Sequence, residues 1–189
     1  MTKGRLEAFG DAVIAIVITI MVLELRPPEG STLESLRPLA PKFLAYVLSF
    51  VMLAIYWNNH HHLFQAVQRV NGSVLWANLH LLFWLSLVPF ATAWLGEGGI
   101  ATYPVAFYGF VLIAAAIAYT ILVRTLIALH GADSSLAKAI GTDLKGRVSI
   151  GLYVVALVLA IFLPAASLLL YVVVVGMWLV PDRRFERNS

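Results

Sequence analysis

Apolar residues in this chain arrive as six long runs, separated by short stretches carrying proline, glycine and charge. At about 1.5 Å of rise per helical residue, such runs cross most of a ~30 Å hydrocarbon layer. They predict membrane-spanning helices over about 8–25, 42–62, 73–94, 103–129, 147–163 and 165–180. The first should end at Arg26-Pro27-Pro28-Glu29-Gly30, because proline cannot donate to a helix and biases the residue before it away from helical angles. Residues 32–41 read as a short interfacial helix, and Pro89 should kink the third span. Ala114-Ala115-Ala116-Ile117-Ala118 would let a neighbouring helix approach closely. The longest polar connection is His130–Gly146, and Pro164 makes a tight reversal between the last two spans, which are uniformly apolar and expected to face lipid.

The rest of the chain is expected to pack around the first helix, which holds two polar surprises. Asp11 lies inside one end and Thr19 interrupts a β-branched run near mid-depth. Polar groups at such depths face protein or water rather than lipid. On a wheel of about 100° per residue, Ala12, Ile16, Thr19 and Leu23 fall on one narrow stripe and Asp11 points away from it. One face is thus available to line something while another ties the helix to its neighbours. The plainer alternative is that Thr19 returns its hydroxyl to the carbonyl of Ala15 and that the stripe is core.

Composition narrows the class. The chain has 189 residues, 61% of them hydrophobic and 12% charged, where a soluble domain has about 45–50% apolar residues. It reads as an all-α integral membrane protein, a single six-helix unit over residues 1–189, too small to enclose a wide path by itself. With no cysteine, disulfides and thiolate metal sites are excluded. The first run lacks a signal peptide's cleavage site and is expected to stay. The net charge of +3 is explained by topology rather than by nucleic acid. With six spans, Lys3, Arg5, Arg69, Lys138, Lys145, Arg147, Arg183, Arg184 and Arg187 share one side. The other carries Arg26, Arg37 and Lys42 with Glu29, Glu34 and Glu97. The positive-inside rule places both termini in the cytoplasm.

The histidine run His60-His61-His62 is the most conspicuous chemistry. Adjacent helical residues point about 100° apart, so three in a row cannot close on one metal, and no familiar ligand spacing completes them. One or two of these rings are expected to turn inward to hydrogen-bond Asp11 or Asn78, with the others in water. Asp11, Asn78 and the histidines fall at similar depth, where buried polar groups must satisfy one another. An inward histidine beside a carboxylate would titrate near neutral pH. No nucleophile with its base and no phosphate loop is apparent, so an enzyme is not expected. A haem between His80 and the His60 run, a non-transporting scaffold and a proton-coupled transporter using Asp11 and the histidines remain as rivals.

Arg5-x-x-x-Phe9-Gly10-Asp11 resembles the Arg-x-x-x-Phe-Ser-Asp signature that opens the first helix of the transmembrane protein 175 family of potassium channels. Trp57-x-x-His60-His61-x-Leu63-Phe64, Asn78-Leu79 and Pro89-Phe90 extend the resemblance, which covers the first half by motif and the second by hydropathy. It implies a bacterial plasma-membrane channel for K⁺ and other monovalent cations. Four copies would surround a central pore lined by the first helices, without a carbonyl filter and without a bound cofactor. Carried over from Phe9-Gly10-Asp11, the hydrophobic constrictions fall on Ile16 and Leu23 and the hydroxyl ring on Thr19, the stripe already singled out. Arg5, Phe9, Asp11, Trp57, His60, His61 and Asn78 become the fastening network below the pore. Gly10 stands where the signature has serine, which removes a hydroxyl from that network.

Overall fold

In hydrocarbon a chain must satisfy its backbone N–H and C=O groups within itself, and a helix does so segment by segment. The computed structural model describes residues 2–141 and 143–179, and these contain helices and no strand. In order they are α1 (Lys3–Leu23), a 3-10 segment (Leu33–Leu39), α2 (Ala40–Gln65), α3 (Gly72–Ser86), α4 (Val88–Gly98), α5 (Thr102–His130), α6 (Ser135–Ile140), α7 (Leu144–Phe162) and α8 (Pro164–Leu179). Five stretches are long and apolar enough to cross a membrane: Lys3–Leu23, Leu33–Gln65, Gly72–Gly98, Thr102–His130 and Leu144–Phe162. The 16 residues of α8 are apolar but shorter. Val180, with which the last expected span ends, and the basic residues Arg183, Arg184 and Arg187 lie outside the described residues.

Several boundaries differ from the sequence expectation for identifiable reasons. α1 begins at Lys3 rather than Ala8, because the polar signature continues the same helix, and it ends at Leu23 rather than Leu25. The expected short helix before the second span is present as a 3-10 helix over Leu33–Leu39, a tight form that accommodates Pro38. The third stretch breaks outright at Leu87 instead of merely kinking, since Pro89 has no N–H to return to Leu85. Within the polar connection 130–146 the chain forms a further short helix, α6, with the Ser134 hydroxyl capping the Ala137 N–H.

α5 is the centre. It contacts α3, α4, α7 and α8, while α1 lies against α2, α3 and α4 on the opposite side from α7. Small residues allow the closest of these approaches: Ala115 and Ala118 of α5 and Ala156 and Ala160 of α7 are fully buried. α7 and α8 nevertheless leave Val154, Val155, Val158, Ile161, Val172 and Val173 exposed, an apolar outer surface suited to lipid. The link after α2 is clasped to the end of α5, where His130 Nε2 accepts from the N–H groups of Gln68 and Arg69 at 3.3 and 3.4 Å. The Arg69 guanidinium adds a bond to the Leu129 carbonyl at 3.0 Å.

A chain of hydroxyls joins the helices in the buried interior. Thr92 donates to Ser49 Oγ at 2.6 Å, and Ser49 lies 3.0 Å from the Tyr108 hydroxyl. Tyr171 donates to the Val105 carbonyl at 3.2 Å and so ties α8 to α5. It reaches that carbonyl only because Gly109 has no side chain, since a Cβ there would collide with the Tyr171 phenol. Both tyrosines are fully buried and cannot swing away. Gly109→Ala is therefore expected to cost about 1–3 kcal/mol by overpacking. The check is a thermal melt of the purified protein, in which a midpoint equal to that of the unaltered chain would show that the contact relaxes freely.

Candidate functional site

α1 has two dissimilar faces. Leu6, Gly10, Ile14, Val17 and Met21, spaced three and four apart, turn inward and are buried. Ala12, Ile16, Thr19 and Leu23 all lie on the uncovered side, with Ile16 57% and Leu23 76% exposed. The stripe is therefore not core. Thr19 does satisfy its hydroxyl on its own helix, but at the carbonyl of Ile16, 2.9 Å away, and not at that of Ala15. With its proton so engaged, the oxygen keeps lone pairs for another partner.

Beneath the stripe, the inward face of α1 meets the end of α2 and the start of α3. His60 and Asn78 are fully buried, and His60 Nε2 lies 2.7 Å from Asn78 Oδ1, a contact in which the imidazole N–H donates to the amide oxygen. The His60 ring also sits 4.6 Å, centroid to centroid, from Phe64. Asp11 is held by Trp57, whose indole N–H donates to Oδ1 at 3.0 Å, and no histidine reaches it. His61 stacks on Trp57 with centroids 5.8 Å apart and approaches Glu7 Oε1 at 3.5 Å. Its Nε2 is 2.8 Å from the amide nitrogen of Gln65. The histidines thus separate, His60 inward and His61 outward on the surface of the knot, and no cluster of three metal-ligating side chains occurs among the described residues.

Two expected members stand apart. Arg5 is exposed and makes no hydrogen bond among the described residues, and Phe9 is 46% exposed. A member that sequence reasoning passed over is Glu7, which reaches His61 from α1. Its signal was present, since Glu7 precedes Asp11 by one helical turn and shares its face. Gly10 also has a structural use: a Cβ there would come within 2.9 Å of His60 Cε1, so the missing side chain lets the ring rest directly on the backbone of α1.

The family described as endosomal/lysosomal potassium channel TMEM175 matches residues 5–89, the part of the chain that holds both the stripe and the knot. A potassium channel of Chryseobacterium sp. (strain P1-3) is 56% identical over 188 residues, covering 100% of this chain and 98% of that one. The chain belongs to the TMEM175 family. TMEM175 proteins are ion channels of multi-pass membrane architecture, and no catalytic function attaches to the family. A potassium channel of Streptomyces collinus is 36% identical over 125 residues, 62% of this chain and 61% of its own length. The zebrafish endosomal/lysosomal proton channel TMEM175 is 27% identical over 135 residues, 25% of its length. The crystal structure of a lysosomal potassium-selective channel TMEM175 homolog from Chamaesiphon minutus superposes with a TM-score of 0.80 at 30% identity, over 99% of this chain and 98% of that one.

Within this TMEM175 chain the knot makes a sharp prediction. Gly10→Ala must push the His60 ring off α1 and strain its bond to Asn78, at an expected cost of about 1–3 kcal/mol. Thermal melts of the purified protein measure it. The same loss should not follow Gly4→Ala, since no atom lies within 4 Å of a Cβ built there. Equal melting of the two variants would remove Gly10 from the knot.

Proposed function

We propose that this chain is a K⁺-selective cation channel of a bacterial plasma membrane, in which four copies surround a central pore lined by α1. Each copy would cross the bilayer six times, with α8 as the last span and both termini in the cytoplasm. K⁺ and other monovalent cations would be its permeant ions, and it needs no cofactor.

The observation that carries this reading is the uncovered stripe of α1. Apolar side chains facing lipid are unexceptional, because lipid tails are as apolar as leucine. A hydroxyl set between two such side chains on the same uncovered face is less readily assigned to lipid, and it suits a water-filled axis. Beside the stripe runs a groove of about 520 Å³, with Val13, Ile16 and Ile20 on one wall and Ser86, Pro89 and Phe90 on the other. It is shaped by the break between α3 and α4, and a neighbouring copy's first helix is its natural occupant.

In such a pore the rings of Ile16 and Leu23 constrict the path and close it by dewetting when narrow. The Thr19 ring offers oxygens in partial replacement of the ion's hydration shell. The replacement suits K⁺ better than the more tightly hydrated Na⁺, so the preference should be modest. Asp11, Trp57, His60, His61 and Asn78, joined by Glu7, hold α1 against α2 and α3 and so fix which face meets the axis. A proton-coupled carrier would need Asp11 and the histidines to form a relay, whereas Asp11 accepts from Trp57 and His60 directs its Nε2 proton to Asn78 rather than to Asp11. Because the zebrafish relative is named a proton channel, protons belong among the permeant ions to be measured.

Two substitutions test the pore. Ile16→Asn is expected to raise the open-state leak several-fold in planar bilayers, and unaltered current would remove the constriction from that position. Thr19→Ala is expected to move the reversal potential under opposed KCl and NaCl gradients toward zero, by tens of millivolts at most for a loss of modest selectivity. A reversal potential that stays put would take Thr19 out of ion selection.

A further inference from the structure

α5 has 29 residues, about 43 Å of helix against a hydrocarbon layer of ~30 Å, so its last turns reach the level of the lipid headgroups. Arg124 sits in those turns, six residues before the helix ends, and is exposed. It continues the outward stripe of Phe110, Ile117 and Ile121, on the opposite side of α5 from the buried Leu122 and Leu126. Arg147, at the start of α7, is exposed as well. Among the described residues neither guanidinium makes a hydrogen bond or meets a carboxylate. Basic residues in loops need only water, but an arginine carried on a span among exposed isoleucines calls for a partner. Its apolar stem lies along the helix while its charge turns to the headgroup layer.

The two arginines converge on one groove. A cavity of about 50 Å³ between α2, α5, α7 and α8 is bordered by Tyr56 and Trp178, and also by Thr120 of α5 and Gly146 and Ser149 of α7, which therefore lie side by side. Arg124 follows Thr120 by one turn, and Arg147 follows Gly146 directly. On the helical wheel Arg147 points about 160° away from Lys145, whose ammonium lies 5.8 Å from the Trp178 ring of α8. Arg147 thus turns to the flank of α7 that meets α5. Beyond the arginines the groove is apolar, with Ile117 and Ile121 on α5 and Val154 on α7 exposed. At Gly151, one turn from Arg147, an added Cβ would meet no atom within 4 Å, so the missing side chain opens a slot there.

We propose that Arg124 and Arg147 clasp the phosphate of an anionic phospholipid whose acyl chain lies in the groove between α5 and α7. A guanidinium presents paired N–H groups to phosphate oxygens, and basic pockets between membrane helices hold headgroups in this way. A soluble anion would leave the apolar slot unfilled. A zwitterionic lipid would bring a further cation to two arginines. An acidic protein does not enter a groove bounded by hydrocarbon.

The groove lies on the far side of the bundle from α1, so binding is read without conduction and stands or falls apart from the pore. The purified full-length protein in dodecyl maltoside is titrated with dioleoylphosphatidylglycerol and, separately, with dioleoylphosphatidylcholine, and retained lipid is counted by native mass spectrometry. Phosphatidylglycerol is expected to saturate at one molecule per chain and to bind at least about fivefold more tightly than phosphatidylcholine. Arg124→Gln and Arg147→Gln should each weaken phosphatidylglycerol about fivefold. Arg26→Gln, which removes an exposed arginine beyond the end of α1, should not. Gly151→Leu leaves every charge in place but fills the slot, and should weaken both lipids. Millimolar glycerophosphoglycerol, the same headgroup without acyl chains, should displace neither. Equal retention of the two lipids, or a loss with Arg26→Gln as large as with Arg124→Gln, would reduce the site to diffuse surface charge and overturn the proposal. Indifference to Gly151→Leu, or displacement by the soluble headgroup, would overturn it by removing the acyl chain from recognition.

Discussion

The buried hydrogen bond between His60 and Asn78 is the contact on which the arrangement of α1, α2 and α3 turns. Both groups are fully buried, and each already holds one nitrogen without a partner, His60 Nδ1 and Asn78 Nδ2, so that removing either residue would leave the other with a second unsatisfied atom in an apolar bundle. Their 2.7 Å separation sets α2 against α3. The ring between them is the surface on which Gly10 rests, which places α1 at a depth and rotation that no other side of that helix would permit. Trp57 and Asp11 then repeat the restraint from the flank. The rotation of α1 is what decides which of its residues remain uncovered.

That rotation connects packing to conduction. The inward residues Leu6, Ile14, Val17 and Met21 bury nearly all their surface, and an apolar helix gains little from exchanging lipid for protein. What specifies the face is shape and hydrogen bonding, not hydrophobicity. The proposed pore stripe is the complement of the locked face. In the proposed pore, a weakened knot would therefore let α1 roll and change what lines the axis without altering any residue of the stripe. The substitution of glycine for the signature serine takes a hydroxyl away and in exchange brings the His60 ring onto the helix backbone.

On the far side of α5 the bundle is built differently. There the helices meet through alanines and a ladder of tyrosines, with Tyr108 beside Tyr171 and Tyr153 beside Tyr171 at centroid separations of 5.7 and 6.1 Å. This half carries no match to the signature motifs, and its polar groups bond both within it, as Trp178 does to Ser149, and across to α2 and the link after it, as Tyr119 and His130 do. The buried exception among the described residues is Ser167 on α8, whose hydroxyl oxygen is without a hydrogen-bond partner. The chain thus divides into a half that orients α1 and a half that supports it.

Much of this was legible in the residues themselves. The apolar runs foretold helices, because a chain in hydrocarbon has no other local way to satisfy its backbone. The spacing of Ala12, Ile16, Thr19 and Leu23 foretold a shared face, because helical period is a local property. Depth alone brought Asp11, His60 and Asn78 to one level. Which partner each would choose was not legible, since an indole, an imidazole and an amide at equal depth compete on ångström-scale geometry. Only the folded structure assigned Trp57 to Asp11, Asn78 to His60 and Glu7 to His61. It likewise turned the expected kink at Pro89 into a break, left Arg5 outside the knot, and closed a cavity from residues as far apart in sequence as Tyr56 and Trp178. Periodicity and solvation are written into short stretches of chain; contact between distant stretches is decided by how whole helices pack, and that is a property of the tertiary structure.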